Sequence, residues 1–534
     1  MPMMTGGQAL ARQMRREGVR VIFGLPGVQL YHALDALYDE SDIRFITTRH
    51  EQATAYMADG FSRAGGGIGT ALVVPGPGLQ NASAAIGTAY AASSPIFVVA
   101  GQIEKDMIGV DRGMLHEIND QLDTIRPVTK WAQRVLDAKD IPEAVHEAFF
   151  QLKSGRPRPV EIEIPPETLG EEADIELLEP VSFQRPAASR ESIQEAAAIL
   201  ASAESPMIWA GGGVNLSDAG EALLKVAEHL QAPVVETAEG KGAISDRHYL
   251  SMGGMRLRDD PLKDEMARHD VIVAVGTRLA TPTMLDGQRV VQIDIDEAEI
   301  GRNYSNTVGV VGDARQTLEE LYKVISTTIP VRESRRERYE AVRSARFDPG
   351  KRLEPLGPLL GAIRDAMPDD GILVPGMTQI GYYSRAHFPV YSPRSFLTSS
   401  YFGNLGFAYP VALGAKVAQP DKAVVAVSGD GGFLFNSQEL ATAVMHGINA
   451  VVVVFNDNAY GNVMRDQKTR FEGRAYGSKL HNPDFVKLAE AYGMRAVRVG
   501  KENAEELEYE LGKALNTDAP SLIEVPVGEM PYPY

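Results

Sequence analysis

The chain has 534 residues, 44% of them hydrophobic and 23% charged, with 53 Lys and Arg against 71 Asp and Glu for a formal charge of −18. That composition excludes a disordered or fibrous chain. The acidic balance argues against sequence-independent nucleic-acid binding and against an anionic membrane surface, since both need cationic side chains. Cysteine is absent, which removes disulfides, thiolate metal sites and a cysteine nucleophile.

Residues 1–7 lead into a helix carrying Arg12, Arg15 and Arg16, with no apolar stretch of signal-peptide length. The longest apolar run, 450–455, is far short of the ~20 residues that span a bilayer. A cytoplasmic protein is expected, with neither membrane nor nucleic acid as partner. At about 150 residues per domain, the length alone suggests three or four domains.

Short runs rich in Val and Ile read as strands at 21–23, 45–47, 71–74, 96–100, 160–164, 207–210, 271–275, 290–293, 424–427 and 451–455. They alternate little between apolar and polar, as parallel strands buried on both faces do. Segments of helical period, such as 218–230 and 439–446, lie between them. The alternation predicts an α/β fold of doubly wound parallel sheets. Two stretches read as linkers: the acidic, Pro-containing 165–189, and 329–358 with Pro330, the charged run from Arg332 to Arg338, and Pro349-Gly350. They divide the chain into 1–170, 185–330 and 355–534, each the size of one α/β domain.

In the first domain, Gly24-Leu25-Pro26-Gly27-Val28 follows a strand. Arg49-His50-Glu51-Gln52 then opens a helix, and Pro75-Gly76-Pro77-Gly78-Leu79-Gln80-Asn81 follows the third strand. Taken alone, Glu51 is a solvated acid in a first helical turn, where the dipole favours it. In the middle domain Ala210-Gly211-Gly212-Gly213 is a glycine-rich turn after a strand, a weak dinucleotide signal. It lacks the Gly-x-Gly-x-x-Gly and the acid about 20 positions on that a nicotinamide oxidoreductase needs.

The most informative segment is the third. Strand 424–427 leads into Gly429-Asp430-Gly431-Gly432, and strand 451–455 into Asn456-Asp457-Asn458-Ala459-Tyr460-Gly461. A helix is expected to start between them at Asn436, with Glu439 completing a capping box. In such a βαβ unit both turns lie at the carboxyl ends of their strands, where these folds bind ligands. Asp430 and Asp457 face one another there. Two carboxylates plus a backbone carbonyl suit Mg²⁺, and Gly431 and Gly432 leave N–H groups open to a phosphate.

This pair of turns resembles the GDG…N cofactor motif of the thiamine-diphosphate (ThDP) enzyme superfamily. Aligned on Gly461, the usual Asn ligand falls on Asp457 and the carbonyl ligand on Ala459, with Tyr460 beside them. Asp in place of Asn keeps an oxygen ligand and adds a negative charge. The pattern R-H-E-Q-x-A-x-x-M-A-D-G-x-x-R, followed by P-G-P-G-x-x-N, resembles the superfamily's pyrimidine-binding domain. The likeness is closest to the acetolactate synthase and pyruvate oxidase branch. It implies that Glu51 binds the N1′ nitrogen of the cofactor's aminopyrimidine, a carboxyl whose proton affinity burial would raise. Pro26, Gly27, Gly76 and Asn81 would frame that ring. Thr398 to Phe407 resembles the family's G-x-[MLI]-G turn: Leu405 would wedge beneath the cofactor, and the Gly403 carbonyl would take its 4′-amino group. Gln379 stands in a segment resembling the diphosphate-side loop. Some members hold FAD or ADP in the middle domain. Residues 252–267 form a shorter stretch than in the FAD-holding synthases, which weighs against FAD.

The resemblance covers essentially the whole chain. It implies a ThDP- and Mg²⁺-dependent carboligase of the acetolactate synthase type, which decarboxylates a 2-oxo acid and then forms a C–C bond. The alternative is a non-oxidative 2-oxo acid decarboxylase or related lyase. An inactive regulatory paralogue is disfavoured by the intact Glu51, Asp430 and Leu405. His116 stands where synthases carry Gln, as a candidate acid/base or an ordinary surface His. Val28 and Val74 replace the Ser and His of a benzoylformate decarboxylase. Asp466 aligns with the Trp that selects the second 2-oxo acid in synthases. Lys130 and Arg278 align with a synthase Lys and Arg, to steady a substrate carboxylate or merely to form salt bridges. The family sets Glu51 of one subunit against Asp430 of another, so a homodimer or homotetramer is expected.

Overall fold

Residues 2–255, 260–280, 284 and 287–533 are described by a computed structural model. Three parallel sheets follow one another along the chain. In spatial order the first runs Arg44–Thr47, Val21–Gly24, Gly69–Val73, Ile96–Gly101, Val160–Ile164, Trp131–Arg134. The second runs Ser251–Gly254, Val234–Glu236, Pro206–Ala210, Val271–Val275, Arg289–Asp294, Thr307–Val311. The third runs Ile372–Pro375, Val424–Gly429, Val451–Asn456, Ser521–Pro526, Arg495–Arg498. All neighbouring strands in these sheets are parallel. A short antiparallel ribbon joins Met3–Thr5 to Glu172–Asp174. The α/β fold read from the apolar runs is the fold observed, and each of those runs coincides with a strand.

The strands absent from that reading are mostly short or polar. Trp131–Arg134, Thr307–Val311 and Arg495–Arg498 are sheet edges, where one side faces no neighbour and polar residues are tolerated. Ser521–Pro526 is central, yet Glu524 interrupts its apolar run. Its carboxylate accepts from Asn456 Nδ2 (2.8 Å) and Arg498 Nε (2.8 Å), so the charge is buried with partners.

The first and third sheets share one hydrophobic core, while the second has its own. The shared core is bridged by helices Glu51–Phe61 and Ala408–Ala418. They cross closely at Gly60 and Gly414, where a Cβ would lie 2.0 Å from Val411 O and 1.9 Å from Met57 O. Two expectations need correction. The stretch 329–358 is not merely a linker: it contains helix Arg336–Arg346, whose Tyr339 is fully buried in the core of the second sheet. No capping box forms at Asn436; a 3-10 turn Ser437–Glu439 precedes helix Leu440–His446. Glu439 instead accepts from the backbone N–H of Arg49 (3.1 and 3.2 Å), tying the third sheet's helix to the start of the Glu51 helix. Among the described residues no helix is long and apolar enough to cross a membrane.

Candidate functional site

Strands Val424–Gly429 and Val451–Asn456 are neighbours, so the two polar turns that leave their carboxyl ends meet. They enclose a cavity of about 190 Å³ whose lining comes entirely from residues 377–530. Asp430 and Asp457 both line it, together with Gln379, Gly403 and Leu405. Gly431, Gly432, Ala459, Tyr460 and Gly461 line it as well. Burial raises the proton affinity of both carboxyls. That of Asp457 is pushed up to about 7, by burial first and then by the nearby Asp430. A buried acid and a half-buried one that repel one another are a poor arrangement for the empty protein and a good one for a divalent cation. Among the described residues no three or more His, Asp or Glu side chains group as a metal cluster. A cation here would therefore draw its remaining oxygens from backbone and phosphate groups.

The turns are shaped to leave this space open. A Cβ on Gly461 would lie 2.0 Å from Asp457 Oδ2, and one on Gly431 would lie 2.6 Å from the Tyr460 ring. Asp457 Oδ1 accepts from Ala459 N–H (3.1 Å). The turn is strapped from outside: Tyr460 N–H donates to Ser478 O (2.8 Å) and Leu480 N–H to Asn458 O (2.8 Å). Asn482, which the sequence reading missed, donates from Nδ2 to Asp430 Oδ2 (2.6 Å) and Asn456 Oδ1 (2.9 Å). It is separated from both turns in the chain, so no local pattern could mark it. Gln379 Oε1 accepts from the buried Arg465 (2.5 Å), which also holds Pro531 O (3.1 Å). The chain's last residues are thereby fastened beside the cavity.

A second constellation sits at the carboxyl ends of the first sheet. Glu51 opens its helix after His50, whose ring caps Gln52 N–H (3.1 Å). Asn81 Nδ2 donates to Glu51 Oε2 (3.0 Å). Gly76 takes a positive φ of 56° immediately before helix Pro77–Ala92. A Cβ there would strike His116 O at 2.2 Å, so the Glu51 and His116 segments adjoin. His116 itself has φ 71°, and its Nδ1 lies 3.1 Å from Gln29 Oε1. Three residues absent from the sequence reading hold this loop. Gln29 also donates to Leu115 O (3.2 Å). Glu117 accepts from the N–H groups of Gly113 (2.6 Å) and Met114 (2.7 Å). Buried Gln121 accepts from Gly76 N–H (2.8 Å) and donates to Glu163 (2.8 Å). Pro26 and Val28 are exposed, and Gly27 packs on Val74.

These two constellations do not share a cavity within one chain: neither Glu51 nor His116 lines the space around Asp430. Lys130 belongs to neither. It precedes strand Trp131–Arg134, at the opposite edge of the sheet from the ligand turns, and its Nζ donates to Gln151 O and Ser154 O (both 2.7 Å). Arg278 lies in the second domain, over the Tyr401 ring (4.8 Å), in a loop that also borders a smaller cavity of about 80 Å³. The glycines there serve packing. A Cβ on Gly211 would meet Gly276 O at 2.2 Å, and one on Gly213 would meet Gly276 Cα at 2.6 Å. Residues 256–259, within the stretch that bears on FAD, lie outside the described residues.

Comparison with known proteins agrees with this layout. Residues 4–124 match the N-terminal TPP-binding domain of thiamine pyrophosphate enzymes. Residues 193–321 match the central domain of those enzymes, and residues 376–525 their C-terminal TPP-binding domain. The chain is 36% identical to a probable acetolactate synthase large subunit of Methanocaldococcus jannaschii, over 98% of this chain and 92% of the relative. It is also 36% identical to a probable 2-ketoarginine decarboxylase of Pseudomonas aeruginosa, over 98% and 94%. Identity to the acetolactate synthase isozyme 3 large subunit of Escherichia coli is 32%, over 96% and 93%. With a glycine-lined acidic cavity in the third domain, a glutamate-bearing turn in the first and all three family domains in order, the chain belongs to the thiamine pyrophosphate enzymes, in their acetolactate synthase branch.

Proposed function

We propose that the protein is a ThDP- and Mg²⁺-dependent carboligase of the acetolactate synthase type, which decarboxylates a 2-oxo acid and joins the remaining fragment to a second carbonyl compound. The observation that carries this reading is the pair of acids, buried Asp430 and half-buried Asp457, beside glycine turns that keep a cavity free. ThDP, when bound, supplies the nucleophilic carbon and the electron sink that 2-oxo acid cleavage needs. Asp430, Asp457 and the Ala459 carbonyl would hold Mg²⁺, with Gly431, Gly432, Tyr460, Gly461 and Gln379 around the diphosphate. Leu405 and Gly403 would fix the cofactor's bend. Glu51 would hold a proton against the aminopyrimidine N1′, steadied by Asn81, with Pro26, Gly27 and Gly76 about the ring. His116, held by Gln29, would move protons at the substrate end, near Val28.

Because Glu51 is absent from the Asp430 cavity of its own chain, the reading requires a second subunit, hence a homodimer or a tetramer built from it. Exposed Tyr401, Phe402, Phe435 and Val463 near the site support an apolar interface there. FAD is not part of this proposal. Flavin absorbance in the purified protein would overturn that exclusion.

A second reading, a simple decarboxylase, is favoured by one residue. Asp466, on the helix that leaves the Asp457 turn, puts a carboxylate where a synthase-type enzyme has an apolar selector, and would suit a 2-oxo acid with a cationic tail. The test is to incubate the ThDP- and Mg²⁺-loaded enzyme with a panel of 2-oxo acids, pyruvate and a guanidino-bearing one included, and to identify products by mass. Acetolactate or another acyloin supports the carboligase. An aldehyde alone supports the decarboxylase, and no turnover of any 2-oxo acid defeats both.

A further inference from the structure

A second cavity, larger than the one around Asp430, lies away from the proposed cofactor site. It measures about 460 Å³ and is walled by three parts of the chain. These are the Lys241–Arg247 loop of the middle domain, the stretch 343–352 that the sequence suggests is a mere linker, and helices Leu356–Ala366 and Gln379–His387 of the third domain. Seven Lys and Arg side chains line it against three Asp, the reverse of the balance of the whole chain.

Several of these cations are committed to the fold. Arg346 pairs with Asp260 (2.7 Å), and Arg343 holds Asp246 O (2.6 Å) and His248 O (3.1 Å). Others are not. Lys351 and Arg352 are exposed and form no ion pair among the described residues. Lys241 also lines the cavity, 1% exposed, with Asp246 Oδ2 3.9 Å from its Nζ and the buried Glu236 carboxyl near enough to feel its charge. The remaining wall is aromatic. Tyr391 lies beneath Arg247 (4.0 Å) and beside Arg364 (5.1 Å), and Tyr383 stacks on His387 (4.0 Å).

We propose that this cavity binds a phosphorylated anion with a flat ring, of nucleoside-diphosphate size, at the seam between the middle and third domains. Forked guanidinium and ammonium donors suit phosphate oxygens, the stacked aromatic pairs suit a ring, and the volume falls in the range of small-molecule sites. The ligand bridges two domains, so its binding stabilises their docking and makes the melting temperature concentration-dependent. The site is distinct from the glycine turn at Gly211–Gly213 and from the ThDP cavity.

Titration calorimetry of ADP into enzyme already saturated with ThDP and Mg²⁺ tests this, with inorganic phosphate as the second probe. Saturable ADP binding is expected, weakened at least about tenfold by the surface double variant Lys351→Glu/Arg352→Glu. That variant should keep the melting temperature of the ligand-free enzyme. Lys241→Met should weaken binding as well. Absence of ADP binding would overturn the proposal, as would an affinity that both variants leave unchanged. Loss of binding on Asp313→Ala, at the glycine turn, with none on Lys351→Glu/Arg352→Glu would place the nucleotide elsewhere and overturn it too. Phosphate binding as tight as ADP would overturn the ring-bearing ligand.

Discussion

Two glycine-rich turns follow parallel strands in this molecule, and they do opposite things. At Gly431 and Gly461 the missing Cβ atoms clear a space bounded by Tyr460, Gln379 and the Asp457 carboxylate. At Gly211, Gly213 and Gly276 they clear room for one another's backbone and for Thr277. The same sequence signal thus marks the lining of an acidic cavity in one domain and a close loop crossing in the other. What separates them is chemistry nearby: two acids with raised proton affinity at the first turn, and at the second an Asp313 already partnered by Arg185 (3.1 Å). A glycine cluster becomes evidence for a ligand only when polar groups converge on the space it leaves.

The comparison can be broken by substitution. The largest effect is expected at Glu51, the residue the cradle lacks within its own chain. Glu51→Gln should lower turnover by about 10²–10⁴-fold, the usual scale for a lost proton-transfer group. Mixing refolded Glu51→Gln and Asp430→Ala chains, each inactive, should then restore about a quarter of the activity through mixed dimers with one intact site. Failure to complement would mean that the two halves meet within one chain.

Next comes the packing turn. Gly276 has φ 58°, and its Cβ would lie 2.5 Å from Gly213 Cα. Gly276→Ala should cost about 2–4 kcal/mol in denaturant unfolding of the middle domain while leaving ThDP affinity unchanged. Gly461→Ala should do the reverse. By displacing Asp457 it should weaken Mg²⁺-supported ThDP binding about 10–100-fold, measured calorimetrically, with little change in melting temperature. If both alanine variants behaved alike, the distinction between cradle and crossing would fail.

A smaller effect concerns Glu439, whose carboxyl is pushed up to about 7, chiefly by burial. Between its ordinary 4.5 and about 7, the folded protein holds a proton that the unfolded chain releases. Stability should therefore fall as pH rises through that window and level off above it. Glu439→Gln should flatten this slope, a difference of about 1–3 kcal/mol between the two ends, read from urea midpoints at pH 5 and pH 8. The smallest effect is expected at Lys130. Lys130→Met strands two carbonyls, at about 1 kcal/mol of stability, and should leave kcat/KM unaltered.

Much of this molecule is legible in its sequence because its signals are local. Buried parallel strands are continuous runs of Val and Ile, and the two ligand turns each place their acids and glycines within six residues, Gly429 to Gly432 and Asn456 to Gly461. What escapes the sequence is what other parts of the chain supply. Asn482 holds Asp430 across a gap of 52 residues, and Gln121 holds Gly76 across 45. Edge strands such as Arg495–Arg498 lack the apolar run because only their sheet neighbours define them. The stretch 329–358 looks like a linker because helix Arg336–Arg346 is charged on most of its surface, while buried Tyr339 and the buried Arg346–Asp260 pair dock it to the middle domain.

The most direct test of the cradle is a ThDP titration of the wild-type protein and of Asp457→Ala, each with and without Mg²⁺. Tight, Mg²⁺-dependent binding by the wild type is expected, with the dependence lost in Asp457→Ala. Equal ThDP affinity with and without the ion, or an Asp457→Ala variant that still responds to it, would contradict the assignment of Asp430 and Asp457 as the pair that holds the cofactor's metal.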